Sequence, residues 1–120
     1  MRDHKRLLVF QSADALVRRI YLATKKFPSD EQFGLISQMR RAAISVPANI
    51  VEGCARSTQA EYLRFLDIAY GSAKELEYQI ELSAHLNYLT GEDAYELSSH
   101  CSQTAKLLCN LIIALRSNTR

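Results

Sequence analysis

The sequence predicts an all-α protein, an antiparallel up-and-down four-helix bundle that takes residues 1–120 as one domain. Three observations predict it. Apolar residues recur at steps of three and four along four separate segments. The chain holds only four Gly and two Pro among many good helix formers. The breaks between segments are short, which forces neighbouring helices to run antiparallel. With 120 residues, 48% of them hydrophobic, the chain can bury an ordinary core without metal or disulfide staples.

The first helix is expected from about Lys5 to Lys26, with Phe10, Ala13, Leu16, Val17, Ile20 and Tyr21 on one face. Phe27-Pro28 ends it, because the residue before proline is pushed out of the α region. Ser29 followed by Gln32 reads as a capping box opening the second helix, which is carried to about Cys54 with Leu35, Ile36, Met39, Ala42, Ala43, Val46 and Ile50 on its core stripe. Pro47 removes the amide that would bond the Ala43 carbonyl, so the helix either kinks there or stops at Val46. Ile50 stays in phase beyond the proline and Gly53 supplies the stop, which favours the kink.

Thr58 with Glu61 forms the next capping box, and Tyr62, Phe65, Leu66, Ala69, Ala73, Leu76 and Ile80 carry the third helix to about Leu89. Within it, Ala69, Gly71, Ser72 and Ala73 make a patch of small residues. Glycine there weakens the helix by up to about 1 kcal/mol relative to alanine, and the expected compensation is close approach of another backbone. Thr90-Gly91-Glu92-Asp93 makes the last turn and cap, and Leu97, Cys101, Thr104, Leu108, Leu111 and Leu115 form the seam of the fourth helix. The tail Ser117-Asn118-Thr119-Arg120 is polar and expected to fray.

The net charge of +2 does not by itself imply a polyanion partner. Its distribution is uneven: residues 1–60 hold ten Lys/Arg and five Asp/Glu, a balance of +5, and residues 61–120 hold five and eight, a balance of −3. Cys54, Cys101 and Cys109 are odd in number and lack a C-x-x-C pair, which argues against a disulfide framework or zinc knuckle and for reduced, packed thiols. The apolar run near the N-terminus is only four residues long, far short of a signal-peptide core or membrane span, so the expected location is the cytoplasm, with no membrane partner.

Apolar residues also lie off the core stripes. Ile44, Pro47 and Val51 fall roughly 80 to 140° from the centre of the second helix's stripe, and Ile68, Leu82 and Leu86 do the same on the third. Six such side chains read either as a wide core or as contact with further copies of the chain, and the second reading is preferred because a bundle of this size has few other places to hide them. Catalytic patterns are weak. Glu81 with His85 and Glu96 with His100 have one residue more between them than the Glu-x-x-His of di-iron bundles, and Glu81 and His85 fall on the solvent side, so no metal and no cofactor are expected. His100 and Cys101 are adjacent on a helix and point about 100° apart, too divergent for an activated thiol. An Arg followed four to six residues later by His, the pattern of small helical ribonucleases, is absent, as are phosphate loops and nucleophile elbows, so the chain reads as a non-enzyme. Arginine on rigid helices suits bidentate phosphate contacts, and Arg40, Arg41, Arg56, Arg64 and Lys74 are the candidate nucleic-acid contacts.

The segment FPSDEQFGLISQMRRAAISVPANIVEGCARSTQAEYLRFLDIAYGSAKELEYQIELS, residues 27–83, closely resembles the four-helix-bundle proteins encoded in intervening sequences of bacterial 23S rRNA genes. The likeness rests on Phe27-Pro28, Gly34-Leu35, Gln38, Arg40-Arg41-Ala42-Ala43, Ala48-Asn49-Ile50, Glu52-Gly53, Arg56 and Gly71-Ser72. The chain departs from the usual motif at Val46-Pro47, Val51 and Cys54. The resemblance implies a ring-like homopentamer with a role in nucleic-acid binding, and no catalytic residues. A more distant likeness is to the accessory variability determinant of diversity-generating retroelements, which implies a pentameric bundle that binds nucleic acid and a partner enzyme. The alternative to RNA or DNA binding is a protein-interaction adaptor whose basic side is unused.

Overall fold

The computed structural model describes residues 2–118. A short 3-10 turn at His4–Arg6 leads into α1 (Leu8–Thr24), a second 3-10 turn spans Ser29–Glu31, and α2 (Leu35–Cys54), α3 (Gln59–His85) and α4 (Gly91–Ser117) follow. Each helix packs on its two neighbours in a ring closed by α4 against α1, and the α2–α3 contact is the most extensive. The bundle is 49 Å long and 23 by 20 Å across. No strand occurs among the described residues.

Two of the expected caps form as read. Thr58 Oγ1 accepts from the Glu61 amide at 3.2 Å and Thr90 Oγ1 from the Asp93 amide at 3.1 Å. Each satisfies one of the amides that a helix start leaves unpaired. The other boundaries move. The Ser29/Gln32 capping box does not open α2, because residues 29–31 form the 3-10 turn and α2 begins only after Gly34. There the Glu31 carboxylate accepts from the Leu35 amide at 3.1 Å, with its oxygen 2.8 Å from where a Cβ on Gly34 would stand. Its other oxygen accepts from the Tyr88 hydroxyl at 2.9 Å, tying the two connections at this end together.

The third helix stops at His85 rather than near Leu89. Asn87 takes φ 64°, and the Tyr88 amide bonds the Ser83 carbonyl while the Asn87 amide bonds that of Ala84. This is the Schellman arrangement, with asparagine in the left-handed position that glycine more often fills. The first helix starts later than expected, at Leu8, after Asp3 caps the preceding 3-10 turn through the Lys5 amide. Thr119 and Arg120, half of the tail expected to fray, lie outside the described residues.

Pro47 does not end α2, which continues to Cys54. It is also buried, so its assignment to an outward-facing stripe is corrected: roughly 80° from Met39 on the wheel, it turns toward α1 and joins the interior. The α4 seam is likewise rotated. Leu97, Cys101, Thr104, Ala105, Leu108 and Ile112 are buried, while Leu111 and Leu115 pack half-exposed on the core's edge.

The interior divides along the long axis into two apolar clusters. One gathers Val9, Val46, Ile50, Leu66 and Leu108, and the other Leu16, Ile20, Met39, Leu76 and Ile80. Where α2 meets α3, a Cβ on Gly53 would stand 3.0 Å from Phe65 Cβ and 3.3 Å from the Tyr62 carbonyl, so any larger residue would push the two helices apart by a few tenths of an ångström. The small-residue patch on α3 divides. Ala69 and Ala73 are in the core and Ser72 bonds Ser45 across to α2 at 2.8 Å, but a Cβ on Gly71 would meet nothing within 4 Å. The close approach expected at Gly71 therefore does not occur within the subunit.

Two changes test this packing. Leu108→Ala should destabilise the fold by roughly 2 to 5 kcal/mol, the usual cost of truncating a fully buried leucine, read as a drop in the denaturant midpoint at constant m-value. Asn87→Ala should cost about 1 kcal/mol, because a left-handed residue without a locally bonding side chain is strained, whereas Asn87→Gly should leave stability equal or higher.

Candidate nucleic-acid interface

The five basic candidates do not form one surface. Arg40 is committed to the fold. Its Nε donates to Thr24 Oγ1 at 2.9 Å, its Nη2 to the Tyr21 carbonyl at 3.3 Å, and its guanidinium lies 4.4 Å from the Tyr21 ring. These contacts fasten the C-terminal turn of α1 to α2, and the half-buried Arg40 is not the free surface cation that its neighbour Arg41 is. Arg41 is exposed and has no ion-pair partner among the described residues. Lys74 pairs with Glu77 at 2.6 Å on the α4 side of α3, and that hydrogen bond raises its pKa.

Arg56 and Arg64 are brought together. Both guanidiniums lie against the Phe65 ring, 4.7 and 5.1 Å from its centroid, where the end of α2 turns into α3. Arg2 joins them there. It donates to the Arg56 carbonyl at 3.4 Å and to Gln59 Oε1 at 3.3 Å, and its guanidinium covers the Tyr62 ring at 4.1 Å. No sequence signal points to Arg2, because it precedes any helix and is placed by contacts to residues more than fifty positions away. Among the described residues Arg56 alone of the three has an ion pair, with Glu52 one helical turn away at 2.5 Å, and its Nε is buried without an acceptor.

Magnitudes separate these arginines. A half-exposed i, i+4 ion pair is worth about 0.3 to 0.5 kcal/mol and an exposed cation–π contact about 0.5 to 1. Arg56 and Arg64 can therefore turn toward a phosphate at small cost to the fold. Arg40 would have to leave the Tyr21 carbonyl and the hydroxyl of buried Thr24 to do so.

The suspected reactive groups are spent on structure or kept apart. Glu81 and His85 are exposed, whereas Glu96 and His100 face α1. His100 Nε2 donates to the Ser12 carbonyl at 2.9 Å, which leaves Nδ1 to accept from Arg19 at 3.1 Å, and Arg19 also pairs with Glu96 at 3.2 Å. His100 thus stitches α4 to α1 and does not address Cys101. Burial pushes the Cys101 thiol up to about 12, and its Sγ–H donates to the Ala73 carbonyl at 3.3 Å. Burial also raises Cys54, and it pushes the neighbouring Tyr62 phenol up to about 12, aided by Cys54. These two thiols lack the thiolate character of a nucleophile. Among the described residues no group of three or more His, Cys, Asp or Glu side chains could hold a metal ion, and no helix is long and apolar enough to cross a membrane.

Of the side chains placed off the core stripes, Ile44, Val51, Ile68 and Leu86 are 43, 36, 40 and 45% exposed, and Leu82 is half-buried. The α2 pair and the α3 set lie on different faces. Arg40 marks the α1 side of α2 and Ser45 its α3 side, and Ile44 and Val51 fall beyond Arg40 on the outer arc.

No curated protein matches the chain. Among solved structures, a protein of unknown function from the S23 ribosomal protein family of Bacteroides thetaiotaomicron is similar, with a TM-score of 0.80 and 27% sequence identity over 88% of this chain and 95% of that one. The family model described as 23S rRNA-intervening sequence protein matches residues 5–110. With its four helices, its Gly53 contact and nearly its whole length inside that match, the chain belongs to the family of 23S rRNA-intervening sequence proteins.

Proposed function

We propose that this protein is a non-enzymatic homo-oligomer that binds RNA or DNA through phosphate contacts made by Arg56 and Arg64 of each copy, with Arg2 beside them. The observation that carries this reading is the placement of Arg56 and Arg64 against one Phe65 ring at one end of the bundle. Guanidinium groups held on aromatic faces are partly desolvated and pre-oriented, and their fork geometry matches phosphate oxygens. One such cluster is weak. Repetition around an assembly multiplies it, because each neutralised phosphate releases counterions and linked contacts raise the effective concentration of the next. The resemblance to intervening-sequence proteins supports both parts of the reading, and the two apolar faces support the assembly.

The double substitution Arg56→Gln with Arg64→Gln tests the site, with Lys106→Gln on α4 as a control outside the cluster. Gel-shift titrations of a labelled single-stranded RNA and a duplex DNA at two salt concentrations should show affinity falling in the double variant by about tenfold or more. The salt slope should shrink by about 0.7 to 0.9 log units for each phosphate that is no longer neutralised. Helical circular dichroism and the control should stay unchanged. Equal binding by the double variant would remove the site from this cluster. Failure of the wild type to bind either probe would favour the protein-interaction adaptor.

A further inference from the structure

Gly71 stands midway along α3, on its outer face, and the subunit gives no packing reason for a glycine there: an added Cβ would meet nothing within 4 Å. Residues 68, 71, 75, 78 and 82 follow the four-three spacing of a single helical ridge. The ridge presents exposed Ile68, Glu75 and Tyr78 and half-buried Leu82 around the glycine notch. The outer arc of α2 carries the matching series Arg41, Ile44, Ala48 and Val51, all exposed. On α2 the small residue, Ala48, sits between Ile44 and Val51 with Arg41 at the end of the series, and on α3 Gly71 sits between Ile68 and Glu75.

We infer that the outer arc of α2 docks into the Gly71 notch of α3 on a second copy of this chain, the two helices antiparallel and the copies joined head to tail. This rests on the assembly proposed above and specifies how the faces pair. Heights within one subunit set the register. Ser45 meets Ser72 and Gly53 stands over Tyr62 and Phe65, so along the bundle the level of Gly71 falls between Ile44 and Ala48, Val51 stands about 3 Å from the level of Ile68, and Arg41 is near that of Glu75. Copies set side by side with a shift of about 3 Å along the axis place Val51 against Ile68 and Ala48 against Gly71, and leave Arg41 within side-chain reach of Glu75. Arg41 has no ion pair among the described residues, and Glu75 only accepts from Gln79 Nε2 at 3.0 Å, so each charge is available to the other. The alanine–glycine contact lets the two backbones approach closely, and such proximity compensates an interior glycine. Because the two faces differ, the contact is heterologous and repeats from copy to copy. Arg41 thus serves assembly rather than phosphate binding.

Sedimentation over a range of protein concentrations, with circular dichroism on the same samples, tests the docking. Gly71→Leu should yield a monomer of unchanged helix content, whereas Gly71→Ala should retain or raise the thermal midpoint of the subunit. Arg41→Glu and Glu75→Arg should each weaken association by about tenfold or more, and the double charge reversal should restore it. If the wild type assembles but Gly71→Leu and both single reversals assemble as tightly, the docking is overturned while assembly through other faces stands. A wild type that is monomeric throughout would overturn the docking and the proposed assembly together.

Discussion

The close approach of α2 and α3 at Gly53 is the constraint on which the rest of this structure depends. A Cβ there would stand 3.0 Å from Phe65 Cβ and 3.3 Å from the Tyr62 carbonyl and would press the helices apart by a few tenths of an ångström, so the glycine supports the present separation of the most extensive helix pair in the bundle. From it follow three placements. Tyr62 is held in the core beside Cys54. Phe65 is left at the rim, where Arg56 and Arg64 lie against it. Higher up, the same register brings Ser45 to Ser72 and Met39 to Ser83, which leaves Ile44, Val51 and Gly71 turned outward. The elements of the proposed binding site and of the proposed assembly are thus consequences of one backbone contact.

The other seams are more polar. Between α1 and α4, Ser12, Thr104, His100, Arg19 and Glu96 form a run of hydrogen bonds alongside the apolar clusters. Between α1 and α2, Arg40 spans the gap to Tyr21 and Thr24. Directional bonds of this kind fix rotation and register at modest net energy, about 0.5 to 1.5 kcal/mol each. The apolar clusters supply the greater part of the stability, with eight side chains of leucine, isoleucine or methionine size almost wholly removed from water. This division explains how a chain with two arginine pairs on α1 and α2 keeps a regular core: the inner member of each pair, Arg19 or Arg40, is drawn into a seam, and the outer member, Arg18 or Arg41, faces solvent.

The legible part of the fold was its periodicity and its side-chain caps. Thr58 and Thr90 announce α3 and α4 because the cap and the amide that donates to it lie within four residues of sequence. The start of α2 and the end of α3 were not legible in this way. Glu31 outcompetes the Ser29 box by reaching the Leu35 amide, and Asn87 takes a left-handed position that residue type alone assigns first to glycine. Pro47 is interior although its wheel position, near 80°, reads as a flank, because a flank covered by a neighbouring helix belongs to the core. For the site, residue type identified arginines but could not tell which were free. Arg40 and Arg41 differ by one position, yet only Arg40 can reach the end of α1, and Arg2 enters the cluster through contacts that no local pattern encodes.

Assembly and phosphate binding make one claim together: copies joined through the α2–α3 hairpin bind nucleic acid far better than a single copy, because each adds its own arginine cluster. The most direct measurement is the salt dependence of RNA binding by the wild type beside that of the Gly71→Leu variant, each under conditions where sedimentation fixes the number of copies on the RNA. The account expects the wild type to bind as a complex of several copies with a steep slope, and the variant to bind weakly with a slope reduced roughly in proportion to the smaller number of copies bound. Equal affinity and equal slope for a monomeric variant and an assembled wild type would contradict it.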